Sequence, residues 1–237
     1  MSVRIALYTR EMKKIFLVAL AISIFSSSSA LAAPQVIVFA ASSLTESFTQ
    51  VGKQFEQSHP GIKINFSFQA SSTLLTQIKA GAPADIFVAA EPFSGGSDYL
   101  VNRVVLAVPK NSNISKFSDL NGKVTWIQCA HEVPCGSTAD AALKFENITT
   151  KPASFELKVS SAVAKLIAGE VDAAIIYKTD VLANKRLRAI EFSNQEATKT
   201  TYQIAQIRKN YRAATFLNYL KSQKVMNMLK SRGFESK

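Results

Sequence analysis

The residues best placed to do chemistry in this sequence are serines and main-chain amides at the expected starts of helices, and the chemistry they suit is the capture of an anion. Phe39-Ala-Ala-Ser42-Ser43-Leu-Thr-Glu46 closes an apolar run with small hydroxyl residues, and Ser43-x-x-Glu46 has the spacing of a capping box. Phe68-Gln-Ala-Ser71-Ser72-Thr73 repeats the arrangement, and Val133-Pro134-Cys135-Gly136-Ser137 and Lys158-Val159-Ser160-Ser161 lead into two more helices. The first turn of a helix carries N–H groups without intrahelical partners and about half a unit of positive charge. Two or more such turns facing one another make a donor-only pocket for an anion. Any one serine before a helix is usually only a cap; it is the recurrence of four such starts that argues for a ligand.

Two other chemistries fit less well. Ser43 or Ser71 could serve as the nucleophile of an exported hydrolase. However, no Gly-x-Ser-x-Gly elbow is present, and the two histidines, His59 and His131, stand in a turn and in a cysteine loop. That loop, Cys129-Ala-His131-Glu-Val-Pro-Cys135, offers thiolates and an imidazole that could ligate zinc. A fourth ligand is not evident, and an oxidising compartment favours a Cys129–Cys135 disulfide, so no directly coordinated metal is expected.

The elements that must position these residues alternate in the way of parallel α/β domains. Val36 to Ala40 reads as a strand. A helix from about Leu44 follows, with Leu44, Phe48, Val51 and Phe55 on one stripe before His59-Pro60-Gly61. Residues 62–68 alternate at the period of a strand, a helix runs from about Ser72 to Ala80 with Gly81 as its cap, and Asp85 to Ala90 returns as a strand. A second block runs through strands at 103–108 and 123–129, helices at 137–145 and 160–168, and strands at 172–177 and 189–192. A strand at 202–207 and helices at 212–222 and 224–231 close the chain. The order predicts two α/β lobes, with crossings near 104–108 and 202–207 and no low-complexity linker, hence a two-strand hinge rather than a tether.

The N-terminus reads as a secretory signal peptide over residues 1–32. Met12-Lys13-Lys14 is its basic region, Ile15 to Phe25 its apolar run and Ala30-Leu31-Ala32 its cleavage site. The run is shorter than the roughly 20 residues of a membrane-spanning helix. An uncleaved anchor is the alternative, and no cysteine follows the cleavage site to carry a lipid. A free periplasmic protein is therefore expected. The whole chain carries a formal charge of +11, from 28 Lys and Arg against 17 Asp and Glu. These basic residues are scattered and make no run interleaved with aromatics, so nucleic acid is a poor partner and a weakly attractive field for small anions is the simpler reading.

The sequence resembles the periplasmic molybdate-binding proteins of ABC transporters. The resemblance rests on Val38-Phe-Ala-Ala-Ser-Ser-Leu-Thr45, on Ser71-Ser-Thr-Leu with Gln77-Ile-Lys-Ala-Gly-Ala-Pro-Ala-Asp-Ile-Phe-Val88, and on Glu132-Val-Pro-Cys-Gly136. Gly169-Glu-Val-Asp-Ala-Ala-Ile-Ile-Tyr177 with Thr179-Asp180 completes it, in the same order over nearly all of residues 35–235. It implies a bilobal type II periplasmic-binding-protein fold: two parallel-rich mixed sheets flanked by helices and joined by a two-strand hinge. Lobe I would be 33–104 plus 203–237, and lobe II 105–202. It implies a binding protein rather than an enzyme. The expected ligand is molybdate or tungstate, with sulfate, thiosulfate or another tetrahedral oxyanion as the alternative. The expected partner is an ABC permease at the inner membrane, the protein itself is expected to be a monomer, and no cofactor is needed.

Carried over motif by motif, the resemblance assigns hydroxyl donors to Ser43 and Ser71, main-chain donors to Cys135 and Val159, and a phenol to Tyr177. Neutral donors suit a fully ionised dianion, and they offer no acceptor to a protonated oxyanion such as hydrogen phosphate. Asp180 receives no ligand role, because a carboxylate would repel the anion. Three departures stand out. The 92–101 segment is short where relatives carry a helix, Tyr202 is not followed by the usual proline, and the cysteine pair occurs in only some relatives. The pair is expected to clip the Val133 loop and preorganise the Cys135 N–H.

Overall fold

The computed structural model describes residues 34–236, so the expected signal peptide lies outside the described residues. Strand β1 (Gln35–Ala41) runs into a helical turn at Ser42–Leu44 and then helix α1 (Thr45–Ser58). Phe48, Val51 and Phe55 fall on the buried stripe of α1, as their spacing predicts. Strand β2 (Lys63–Gln69), helix α2 (Ser71–Lys79) and strand β3 (Ile86–Ala89) follow. The chain leaves α2 through Gly81 at φ +91°, a left-handed conformation in which glycine carries no Cβ penalty.

Strand β4 (Ser97–Pro109) begins six residues before the expected Arg103, and β5 is shorter than expected, Trp126–Cys129 rather than from Lys123. The chain continues through α3 (Pro134–Leu143), β6 (Phe155–Glu156), α4 (Val159–Ala168), β7 (Ala173–Tyr177), α5 (Lys178–Leu182) and β8 (Leu187–Ile190). It ends with β9 (Lys199–Gln206), α6 (Tyr211–Leu220), α7 (Gln223–Ser231) and β10 (Glu235–Ser236). The two-residue strands and α5 carry too few residues to show a period in the sequence.

The strands form one ladder in the order β2-β1-β3-β9-β4-β7-β5-β6, with β8 and β10 also paired to β4. Pairings of β1 with β2 and β3, and of β5 with β6 and β7, are parallel. Strand β9 meets both β3 and β4 antiparallel, and β4 meets β7 antiparallel. The sheet is therefore mixed, with its two parallel groups at either end and antiparallel β9 and β4 between them. The buried apolar side chains divide along the same line. One cluster spans Val104 to Phe192, and others gather residues 36–100 with Tyr202 to Phe234. Residues from Pro34 onward nonetheless make one compact body.

The Ala80-Gly-Ala-Pro-Ala-Asp85 run has a structural reason. Asp85 is buried, and its Oδ2 accepts the Ile37 N–H at 2.8 Å. Its Oδ1 takes Asn210 Nδ2 at 2.8 Å and an ion pair with Arg208 at 2.9 Å. One carboxylate thus ties β1 to the connection between β9 and α6. The short 92–101 segment closes in a comparable way, with Phe93 packed on Phe87 and its N–H donated to Gln203 Oε1 at 3.0 Å. A tight turn at Ser94-Gly95, closed by the Gly96 N–H donating to the Phe93 carbonyl at 3.0 Å, reverses the chain there.

Candidate functional site

The carboxyl ends of the parallel strands and the helix starts that follow them meet around one cavity. Its volume is about 20 Å³, and it is lined from one side by Ala41, Ser42, Ser43, Gln69, Ser71 and Ala90. From the other side come Val133, Cys135, Lys158, Val159 and Tyr177. All five residues expected to touch a ligand, Ser43, Ser71, Cys135, Val159 and Tyr177, are therefore brought together. A space of this size lies far below the ~300–1,000 Å³ of pockets for larger organic ligands.

The helix starts here differ from those of the two C-terminal helices. The residues preceding the Ser42–Leu44 turn, α2, α3 and α4 are Ala41, Ala70, Val133 and Lys158, and none supplies a side-chain cap. By contrast α6 and α7 are capped by Asn210 and Ser222, whose side chains accept the Ala213 and Val225 N–H groups. An uncapped first turn leaves its N–H groups for another acceptor. The Cys135 and Val159 amides belong to such turns.

The two serines are not caps. Ser71 is the first residue of α2, almost wholly buried, and its Oγ accepts the Ala90 N–H at 2.9 Å. Ser43 lies inside the helical turn and its Oγ pairs with the Tyr202 hydroxyl at 2.7 Å. The expected Ser43–Glu46 capping box does not form, because Glu46 turns outward to an ion pair with Arg232 at 3.2 Å. The hydrolase reading also loses its base: His59 bonds Ser58 and the Phe55 carbonyl, and His131 pairs with Asp140. Neither imidazole approaches either serine.

Tyr177 ends β7 with only 2 % of its surface exposed. Its hydroxyl makes no well-formed hydrogen bond, an uncommon state for a buried polar group, and the polar groups that act on it are the Thr200 and Tyr202 hydroxyls. Burial, followed by the neighbouring Tyr202, pushes the phenol well above its usual range, so it stays protonated and able to donate. Behind it, Asp180 Oδ2 accepts the Tyr177 N–H at 3.2 Å. Burial first, and then Glu46, push the Asp180 carboxyl up to about 7, against the lowering effect of that N–H.

Cys129 and Cys135 are joined as a disulfide with Cα atoms 5.6 Å apart, and the zinc reading of that loop falls with it. Gly136 completes the loop: a Cβ there would stand 1.9 Å from the Ala130 carbonyl oxygen. The sequence did not reveal the roles of two residues at the site. Lys158 is an exposed cation at the rim of a site expected to be free of charge, and Tyr202 backs Ser43 from outside the cavity. The sequence marks Lys158 only as the lead into a helix, with no part for its charge; nothing in the strand pattern around Tyr202 signals a polar role.

The model of the bacterial extracellular solute-binding protein family matches residues 36–235. The molybdate-binding protein ModA of Mycobacterium tuberculosis is 31 % identical over 198 residues, covering 77 % of this chain and 76 % of that one. Among solved structures, the periplasmic molybdate-binding protein of Azotobacter vinelandii superposes with a TM-score of 0.72 at 15 % identity, covering 84 % of this chain and 98 % of that one. The sulfate-binding protein SubI of Mycobacterium tuberculosis superposes with a TM-score of 0.67 at 14 % identity, covering 86 % and 87 %.

Proposed function

The chain belongs to the family of bacterial extracellular solute-binding proteins, and from that premise we propose that it captures molybdate, or tungstate, outside the inner membrane and hands it to an ABC importer. Membership places it with binding proteins rather than with enzymes. The observation that carries the ligand assignment is the convergence of Ser43, Ser71, Cys135, Val159 and Tyr177 on one small cavity whose four helix starts are uncapped. The likeness in sequence to a molybdate-binding protein supports it.

The chemistry is differential solvation. A tetrahedral dianion leaving water must recover its hydrogen bonds, and hydroxyl and amide donors supply charge-assisted ones without adding an acceptor that would favour a protonated rival. Molybdate and tungstate exceed sulfate in size because metal–oxygen bonds are longer than sulfur–oxygen bonds, so pocket dimensions separate the two groups. In the proposed cycle a lobe of 33–104 plus 203–237 and a lobe of 105–202 close over the anion about β4 and β9. The division of the core between Leu100 and Val104 lies near this partition, with Val104 packed in the cluster of the second lobe and Tyr202 in that of the first. A cleaved leader, residence in the periplasm and action as a monomer belong to the same reading.

Calorimetric titration with molybdate, tungstate, sulfate and phosphate tests the assignment. Molybdate and tungstate are expected to bind with similar affinity and sulfate at least roughly 100-fold more weakly, the ~3 kcal/mol of a mismatched site. Tightest binding by sulfate would move the chain to the sulfate class. The pH response gives a second check. Below about 7 Asp180 is neutral; above it the group ionises and puts a negative charge behind Tyr177. Affinity for the dianion is therefore expected to fall by a few fold as pH rises through about 7. Asp180→Asn should flatten that slope, and an unchanged slope in the variant would remove Asp180 as its cause.

A further inference from the structure

The two ligand-facing serines are each backed by one hydrogen bond from an element outside the cavity. For Ser71 the sense of that bond is unambiguous: the Ala90 N–H can only donate, so it occupies an Oγ lone pair and leaves the serine proton free for the cavity. For Ser43 the partner is another hydroxyl, Tyr202 Oη at 2.7 Å, and either could donate.

Proton counting and donor strength together favour one of the two arrangements. Tyr202 is fully buried on β9 and is not among the residues lining the cavity. If Ser43 donated to Tyr202, the phenol proton would need a further acceptor. Asn102, the amide beside it, already donates Nδ2 to Thr179 Oγ1 at 2.8 Å and accepts the Arg103 N–H on Oδ1 at 2.9 Å, which leaves its second Oδ1 lone pair and the neighbouring Tyr177 hydroxyl as the alternative acceptors. If Tyr202 donates to Ser43, its proton is satisfied and the serine proton is released toward the cavity. A phenol is also the stronger donor and an alkyl hydroxyl the stronger acceptor. Burial keeps the phenol protonated, so the donor is always present.

We propose that Tyr202 is a positioning residue that fixes the direction of the Ser43 hydroxyl proton, so that Ser43 presents a donor to a bound oxyanion in the way the Ala90 N–H makes Ser71 do. The proposal rests on Ser43 being a ligand contact, as in the function proposed above. It makes β9, which pairs with both β3 and β4, part of the site's alignment.

The test is a double-mutant cycle read by calorimetric titration with molybdate. Tyr202→Phe keeps the ring and removes the hydroxyl, and is expected to weaken binding by roughly tenfold, the loss attached to one buried hydrogen bond. In a Ser43→Ala background the same change should cost nothing further, whereas a purely structural tyrosine would cost the same in both backgrounds. Equal costs with and without Ser43 overturn the proposal and leave the ligand assignment standing, as does a Tyr202→Phe protein that binds like wild type while Ser43→Ala does not. Undiminished binding by Ser43→Ala overturns the ligand role of Ser43 and this proposal together. Melting temperatures of the unliganded variants show whether any loss comes from unfolding.

Discussion

Tyr177→Phe is expected to weaken molybdate binding by roughly 10- to 100-fold, the ~1.5–3 kcal/mol of a hydrogen bond to a charged group, while leaving the unliganded protein at least as stable as before. The two halves of this result have one cause. In the unliganded protein the Tyr177 hydroxyl is buried without a well-formed hydrogen bond, and the neighbouring Thr200 and Tyr202 hydroxyls offset its desolvation only in part. Removing the oxygen relieves that cost in the free protein and removes a donor from the bound one. A tyrosine that merely packed the core would show no loss of binding. A thermal melt with and without molybdate reads both effects: the free midpoint holds or rises, and the ligand-induced rise shrinks. This is the pattern expected where a binding site holds a polar group in readiness at the expense of the empty fold.

Gly136→Ala is expected to lose about 3 kcal/mol or more of stability, because the added methyl has nowhere to go. The ideal Cβ lies 1.9 Å from the Ala130 oxygen, 2.5 Å from the Ala130 carbonyl carbon and 2.6 Å from the Cys129 oxygen, all of them backbone atoms. A flexible side chain could swing aside; a main-chain carbonyl in a disulfide-closed loop can only be pushed. The push falls on the segment Val133-Pro134-Cys135, which lines the cavity, so binding should fall together with stability. For a chain of this size each kcal/mol moves the midpoint by roughly 2–4 °C, so thermal denaturation and a molybdate titration check the two losses separately. A variant that melts and binds like wild type would mean that the loop is loosely packed against Ala130.

Much of the architecture was legible because it follows from periodicities. The stripe Phe48, Val51, Phe55 gave α1, the alternation over 62–68 gave β2, and the uninterrupted apolar run Ala173–Tyr177 gave β7, which is buried on both faces. What periodicity misses is where a side chain stands in for a ladder partner or a cap. Strand β4 starts at Ser97 because it lies along β9 from Ile204 back to Lys199, although Asp98 and Asn102 break its apolar pattern. Asn102 is tolerated at full burial because it bonds Thr179. Conversely β5 starts late: the Thr125 N–H is taken by Asp172 Oδ2 at 2.8 Å instead of by a neighbouring strand.

At the site, helix starts read as candidate donors in the sequence do converge in space, including the turn at Ser43, the start of α2 at Ser71 and the amides of Cys135 and Val159. The capping-box reading of Ser43 failed because local spacing shows neither the Arg232 that draws Glu46 outward nor the buried phenol 159 residues away that pairs with the Ser43 hydroxyl. The rim position of Lys158 was hidden for a related reason: it precedes a helix like any other polar residue, and only the fold brings that helix start to the cavity.

The most direct measurement is a crystal structure of the protein soaked in molybdate, with the metal located by anomalous scattering. The account predicts a single strong peak between the starts of α2, α3 and α4. Its oxygens should lie within hydrogen-bond distance of the Ser43, Ser71 and Tyr177 hydroxyls and of the Cys135 and Val159 amides. A peak elsewhere, or an anion held at the rim by Lys158 with those three hydroxyls untouched, would contradict it.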